Sequence, residues 1–162
     1  MADAPRYEHD FYAWTQDQAA RLRTLKGDNR FDVDHIAGEI ADLGARDRRA
    51  LANTIEVVLE HLLMLAASPA TAPRRHWLDE VDNHRRAIRD IRDDSPSLPD
   101  RIDLARAWQR TVRAANRKLA RYQEPTVDAP SACPVTIDAL ADDAVEPETL
   151  VAPVAQGLDP RT

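Results

Sequence analysis

Glycine, cysteine, lysine and aromatic residues are all scarce in this chain. Four glycines in 162 residues leave no Gly-rich phosphate loop, and there is no G-x-S-x-G nucleophile elbow. The single cysteine, Cys133, excludes an internal disulfide and fits a reducing compartment. It precedes Pro134 in a loop, with no helix N-terminus behind it to lower its pKa, so nucleophilic catalysis finds no support. No apolar run approaches the roughly 18 residues of a membrane span. The polar start, Met1 to Asp10, does not read as a signal peptide. The expectation is a soluble cytoplasmic protein that does not enter a membrane.

Charge is abundant but unevenly placed. The net charge is −6. After Gln123 there are eight acids against one base, whereas up to Gln123 there are 20 acids against 21 bases. The acidity therefore lies at the C-terminal end. A nearly neutral body argues against a general polyanion binder. Arginine outnumbers lysine 20 to 2, which reads as compositional bias rather than function.

The strongest pattern is the stretch 51–65. Leu51, Ile55, Val58, Leu62 and Leu65 step by four and three, one face of a helix. Val57, Leu59, Leu63 and Met64 widen the apolar arc, so this helix should be packed on several sides. Around it the spacing predicts an all-α bundle of four long helices. The first starts near Asp10, a candidate N-cap, with Tyr7, Phe11, Trp14, Leu22 and Leu25 as its stripe and Gly27 as its C-cap; residues 1–6 should be flexible. The loop Asp28-Asn29-Arg30 leads to a second helix capped by Asp32, with Phe31 and Ile36 as a hydrophobic staple. Its seam Ile36, Ile40, Leu43 meets Gly44, and Asp47 stands where an apolar residue should be. An unbroken helix over 33–66 would be about 50 Å long, so a kink or break near Gly44 is expected. The third helix should run over 74–93, with seam Trp77, Val81, His84, Ile88 and Ile91. The fourth should follow Ser97, a candidate cap, and end near Arg121, with seam Ala105, Trp108, Val112, Ala115, Leu119 and Tyr122. A short helix over 136–141 should close the bundle domain of residues 7–141. The acidic, proline-containing tail 142–162 should be disordered.

Several stretches, taken in order, resemble a bacterial family of uncharacterised proteins, domain-of-unknown-function family 29. They are Tyr7-Glu8-His9-Asp10-Phe11-Tyr12-Ala13-Trp14, Glu39-Ile40-Ala41-Asp42-Leu43-Gly44, His61-Leu62-Leu63, Trp77, Asp94-Ser95-Pro96-Ser97-Leu98 and Cys133-Pro134. The likeness covers about residues 7–141. Met64 departs from the family pattern, which tends to have lysine there. The resemblance implies an all-α bundle of bacterial origin and brings no established activity.

Three constellations are candidates for chemistry. Asp10, Glu39, His61 and His84 are carboxylates and imidazoles on different helices, the way bundles build divalent-metal sites. The bland reading is that they satisfy helix ends or one another, and no cofactor is expected. His76, Glu80 and His84, at i, i+4 and i+8, share a helix face; adjacent pairs suit a metal, but one ion held by all three does not. Arg106, Arg110, Arg113, Arg117 and Arg121 form a basic stripe on the fourth helix, a candidate anion site. The bland alternative is a solvated face paired with neighbouring acids, or one shielded by the acidic tail. The favoured function is a non-enzymatic protein-interaction or regulatory module, self-association included. A metal-dependent enzyme is the alternative, and nucleic-acid binding through the stripe a weaker one.

Overall fold

The computed structural model describes residues 6–25 and 30–161. The fold is all-α, with helices α1 (Phe11–Thr24), α2 (Val33–Ala67), α3 (Arg74–Asp94), α4 (Leu104–Arg121), α5 (Ile137–Ala141) and α6 (Pro147–Gln156). Two short strands, β1 (Val127–Asp128) and β2 (Asp159–Pro160), pair antiparallel. The chain divides into two compact units, one of residues 1–51 with 90–102 and one of residues 52–89 with 103–162. Both α2 and α3 contribute residues to each.

In the first unit, Asp10 caps α1: its Oδ1 accepts from the Ala13 N–H at 2.9 Å. The same carboxylate accepts from the Ser97 N–H at 2.9 Å and from the Ser97 hydroxyl at 3.0 Å. Ser95 Oγ accepts from the Tyr12 N–H at 3.1 Å. The start of α1 is thus tied to the turn after α3 by polar bonds. Ser97 is spent on Asp10 and caps no helix; Asp103 caps α4 instead, accepting from the Arg106 N–H at 2.9 Å. Between them lies a 3₁₀ turn over Pro99–Arg101.

The stripe expected for α1 is not its buried face. Tyr7, Phe11 and Trp14 pack on one another, with Tyr7 edge-on to Phe11 at 5.4 Å and to Trp14 at 5.0 Å. The buried residues are Thr15 and Ala19. The helix ends at Thr24 with Leu25 as C-cap. Gly27, Asp28 and Asn29 lie outside the described residues, as do residues 1–5 of the expected flexible N-terminus. Asp32 caps α2 as expected, its Oδ1 accepting from the His35 N–H at 3.3 Å. Phe31 is 64% exposed and Ile36 40%, so the expected staple buries little.

No break interrupts α2 at Gly44. The buried positions in its first part are Ala37, Gly44 and Leu51, seven apart, not Ile36 and Leu43. A Cβ on Gly44 would sit 2.3 Å from Thr15 Oγ1, 3.0 Å from Gln16 Nε2 and 3.1 Å from Tyr12 Cδ2. Glycine stands there because α1 packs against the α2 backbone at that point.

The second unit holds the large apolar core. Ile55, Val58, Leu59, Leu62 and Leu63 of α2 are fully buried, together with Val81 and Ile88 of α3 and Trp108, Ala115 and Leu119 of α4. By length and composition α2 is apolar enough to cross a membrane, contrary to the expectation that no stretch approaches a span. Packing against α3 and α4 is the use this fold makes of that apolarity.

The tail expected to be disordered is built into this unit. Pro147, Leu150 and Val154 of α6 are buried. Arg85, only 2% exposed, donates from Nε to the Leu140 carbonyl at 2.8 Å and from Nη2 to the Asp142 carbonyl. Asn116 Nδ2 donates to the Val127 carbonyl and its Oδ1 accepts from the Val127 N–H, both at 2.8 Å. Trp108 Nε1 donates to the Pro130 carbonyl at 2.8 Å. Polar side chains on α3 and α4 thereby position the segments on which α6 and β2 dock. The tail's low hydrophobicity misleads because its few apolar residues fall on one helical face and its backbone finds fixed partners.

Candidate functional site

The end of α4 is closed by an uncommon turn. Gln123 has φ of 60°, the left-handed region that favours glycine. The Glu124 N–H donates to the Leu119 carbonyl at 2.9 Å and the Gln123 N–H to the Ala120 carbonyl at 3.1 Å. This satisfies the last carbonyls of the helix in the manner of a Schellman motif. The turn brings Tyr122, 66% exposed, and half-buried Glu124 to the rim of one cleft.

That cleft belongs to the second unit and has a volume of about 540 Å³, within the usual range of roughly 300–1,000 Å³ for ligand pockets. Its apolar wall is Met64, Ala70, Pro73 and Trp77 with Tyr122; its charged groups are Glu60, Lys118, Arg121 and Glu124; His61 and Ser68 complete it. Lys118 Nζ pairs with Glu60 Oε1. His61 donates from Nδ1 to the Val57 carbonyl at 2.8 Å, since a carbonyl can only accept, and its Nε2 is then left without the proton in the neutral ring. Among the described residues Glu124 Oε2 is buried with no hydrogen-bond partner, and no ion pair holds Arg121 or Glu124.

The other candidates are placed separately. Asp10 is occupied by the α1 cap and by Ser97, and exposed Glu39 has no ion pair among the described residues. Both lie in the first unit, whereas His61 and His84 lie in the second. His84 is half-buried rather than a core residue, with Nδ1 donating to the Glu80 carbonyl at 2.9 Å and lying 3.6 Å from Glu80 Oε2. His76 is exposed. Among the described residues no three His, Cys, Asp or Glu side chains gather as a metal site would require. Cys133 is half-buried, and burial pushes its thiol up, partly offset by a backbone hydrogen bond from Val135. A raised thiol is a poor nucleophile at neutral pH.

All five arginines of the stripe are exposed. Arg110 pairs with Glu56 across to α2; Arg106, Arg113, Arg117 and Arg121 make no ion pair with the described residues. Arg113 and Arg117 edge an open groove of about 480 Å³ with Arg161, which pairs with Asp128. Among the described residues no acid of the tail forms an ion pair with the stripe. Asp143 pairs with Arg89 of α3 at 3.1 Å, and Asp142 is engaged through its carbonyl by Arg85.

Sequence reasoning therefore named His61 and Arg121 as candidates, though for two different sites, and placed Trp77 and Tyr122 on seams. It missed Glu124 and the buried Arg85. The surviving signal for Glu124 is its place three residues after a helix end that has no glycine to close it.

The crystal structure of an α-helical protein of unknown function from Rhodospirillum rubrum is similar, with 27% sequence identity, a TM-score of 0.81, and 93% of this chain and 98% of that chain covered. No curated protein matches the chain. Residues 6–145 match the family described as "domain of unknown function DUF29". Two of the stretches that carry this likeness, around Asp10 and around Ser95-Pro96-Ser97, are the two that hydrogen-bond to each other in the first unit. The chain belongs to the DUF29 family.

Proposed function

We propose that this chain is a non-enzymatic interaction or regulatory module, and that the cleft at the end of α4 is where its partner binds. The observation that carries this reading is the composition of the cleft. Trp77 and Tyr122 supply aromatic area, and Arg121 is an exposed cation with no ion pair among the described residues. Aromatic residues and arginine are the types that concentrate binding energy at interfaces. Tyr122 at 66% exposure is an aromatic ring that the fold itself does not use. A hydrolytic or metal-assisted reaction would need a nucleophile beside a base, or convergent ligands. The imidazoles of His61 and His84 are instead each fixed by their own helix.

The test is quantitative capture of partners from a host extract, comparing wild type with the double variant Arg121→Gln/Tyr122→Ala and with Arg113→Gln/Arg117→Gln. Both variants alter exposed side chains and should fold normally. Loss of a specific partner with the first variant alone supports the reading. Loss with the second alone would move the binding site to the arginine groove and favour an anionic partner. Retention by both would remove the cleft as a docking site.

A further inference from the structure

The cleft carries two charges of opposite sign that have no ion pair among the described residues, three residues apart, on a turn whose geometry is fixed. We propose that it binds a free amino acid with a large apolar side chain, the α-carboxylate on Arg121, the α-ammonium on Glu124, and the side chain against Trp77 and Met64. This rests on the reading of the cleft as the binding site and names what fills it.

The first support is Glu124. One of its carboxylate oxygens is buried without any donor. That oxygen has no open surface for a ligand to reach, so a ligand meets the carboxylate through its other oxygen. The half-buried charge gains more from a counter-charge than a carboxylate in open water does. The best donor for a carboxylate is a cation, because charge-assisted bonds are roughly twice as strong as neutral ones. The nearest cations of the cleft do not fill that role: Lys118 is committed to Glu60, and no ion pair joins Arg121 to Glu124.

The second support is Arg121. It is exposed, lines the same cleft and is free to form a bidentate pair with a carboxylate. A ligand that is only an anion would leave Glu124 unsatisfied and add repulsion; one that is only a cation would meet Arg121 with like charge. A zwitterion answers both.

The third support is the wall. Trp77, Met64 and Pro73 form an apolar floor beside the charges, and Met adapts to ligands of varied shape. The left-handed Gln123, with φ of 60°, sits between Tyr122 and Glu124 and sets the angle at which both meet the cleft.

Calorimetric titration of the full chain with tryptophan, phenylalanine, leucine and glycine, and with N-acetyl-phenylalanine and phenylalanine amide, tests this. The expected result is binding of the large apolar amino acids, no measurable binding of glycine, and about tenfold weaker binding of each blocked derivative. Arg121→Gln should erase the difference between phenylalanine and its amide. Glu124→Gln should erase the difference between phenylalanine and its N-acetyl form. Circular dichroism and melting establish that both variants are folded. Absence of binding by every free amino acid at millimolar concentration would overturn the proposal, as would equal binding of the blocked forms to wild type. If capture of a partner still depends on Arg121 and Tyr122 in that case, only the ligand class falls; if it does not, the cleft falls as well.

Discussion

Between Val33 and Leu51, α2 buries Ala37, Gly44 and Leu51; between Ala52 and Ala67 it buries Ile55, Val58, Leu59, Leu62, Leu63, Met64 and Leu65. The first part is held by close backbone approach of α1 at Gly44, and α1 is in turn tied to the turn after α3 through Asp10, Ser95 and Ser97. The second is held by displacement of water from large aliphatic side chains. A seven-residue spacing, 37-44-51-58-65, runs through both. At these positions the buried residues change from small in the first part to large in the second. Stability in one part comes from contact distance, and in the other from apolar area.

The largest effect expected in the second part is from Leu62→Ala, which removes a fully buried side chain and should lower stability by about 2–5 kcal/mol in chemical denaturation. A loss below about 1 kcal/mol would mean that this part of α2 is not the core. Leu150→Ala comes next. Leu150 is 4% exposed on α6, and its truncation should lower stability by about 2–4 kcal/mol. An unchanged melting curve would return the tail to the disordered state that its composition suggests.

Those two substitutions also mark where the sequence was legible. Helix type, the bounds of α3 and the end of α4 followed from periodicity, because Leu, Ile, Val and Trp at three- and four-residue steps are unambiguous. The first part of α2 was misread because a seam of Ala37 and Gly44 carries almost no hydrophobic signal, while exposed Ile36 and Leu43 carry a strong one. The tail was misread because its docking depends on Arg85, Asn116 and Trp108, whose partners are backbone groups 11 to 57 residues away. Backbone partners leave no trace in composition. The cleft was half legible: charged and aromatic residues were noted one by one, but α2, α3 and the turn after α4 each supply part of it, and only the fold combines them.

Smaller effects sharpen the comparison within the first unit. Gly38 has nothing within 4 Å of where a Cβ would stand. Gly38→Ala should therefore gain up to about 1 kcal/mol from helix propensity alone. A loss would show that the α2 backbone is approached there too.

Burial, and then the neighbouring Asp94, push the Asp47 carboxyl above its ordinary value. Because the folded form holds this proton more tightly than the unfolded, stability is greatest below the ordinary carboxylate range and falls as pH rises toward the folded value. Asp47→Asn should raise stability at pH 7 by less than about 1 kcal/mol and leave it unchanged near pH 3. Equal gains at both pH values would assign the effect to something other than the charge.

The contrast within α2 is tested most directly at Gly44. Gly44→Ala should lower stability by about 1–3 kcal/mol despite its better helix propensity, because the new methyl meets Thr15. Thr15 cannot simply turn away: it is fully buried, and its hydroxyl donates to the Tyr12 carbonyl at 2.7 Å. The measurement is a double-mutant cycle of Gly44→Ala with Thr15→Ala by urea denaturation. The account predicts that the loss caused by Gly44→Ala shrinks by at least about 1 kcal/mol once Thr15 is alanine. An identical loss in both backgrounds, or a gain in wild type like that expected at Gly38, would contradict it.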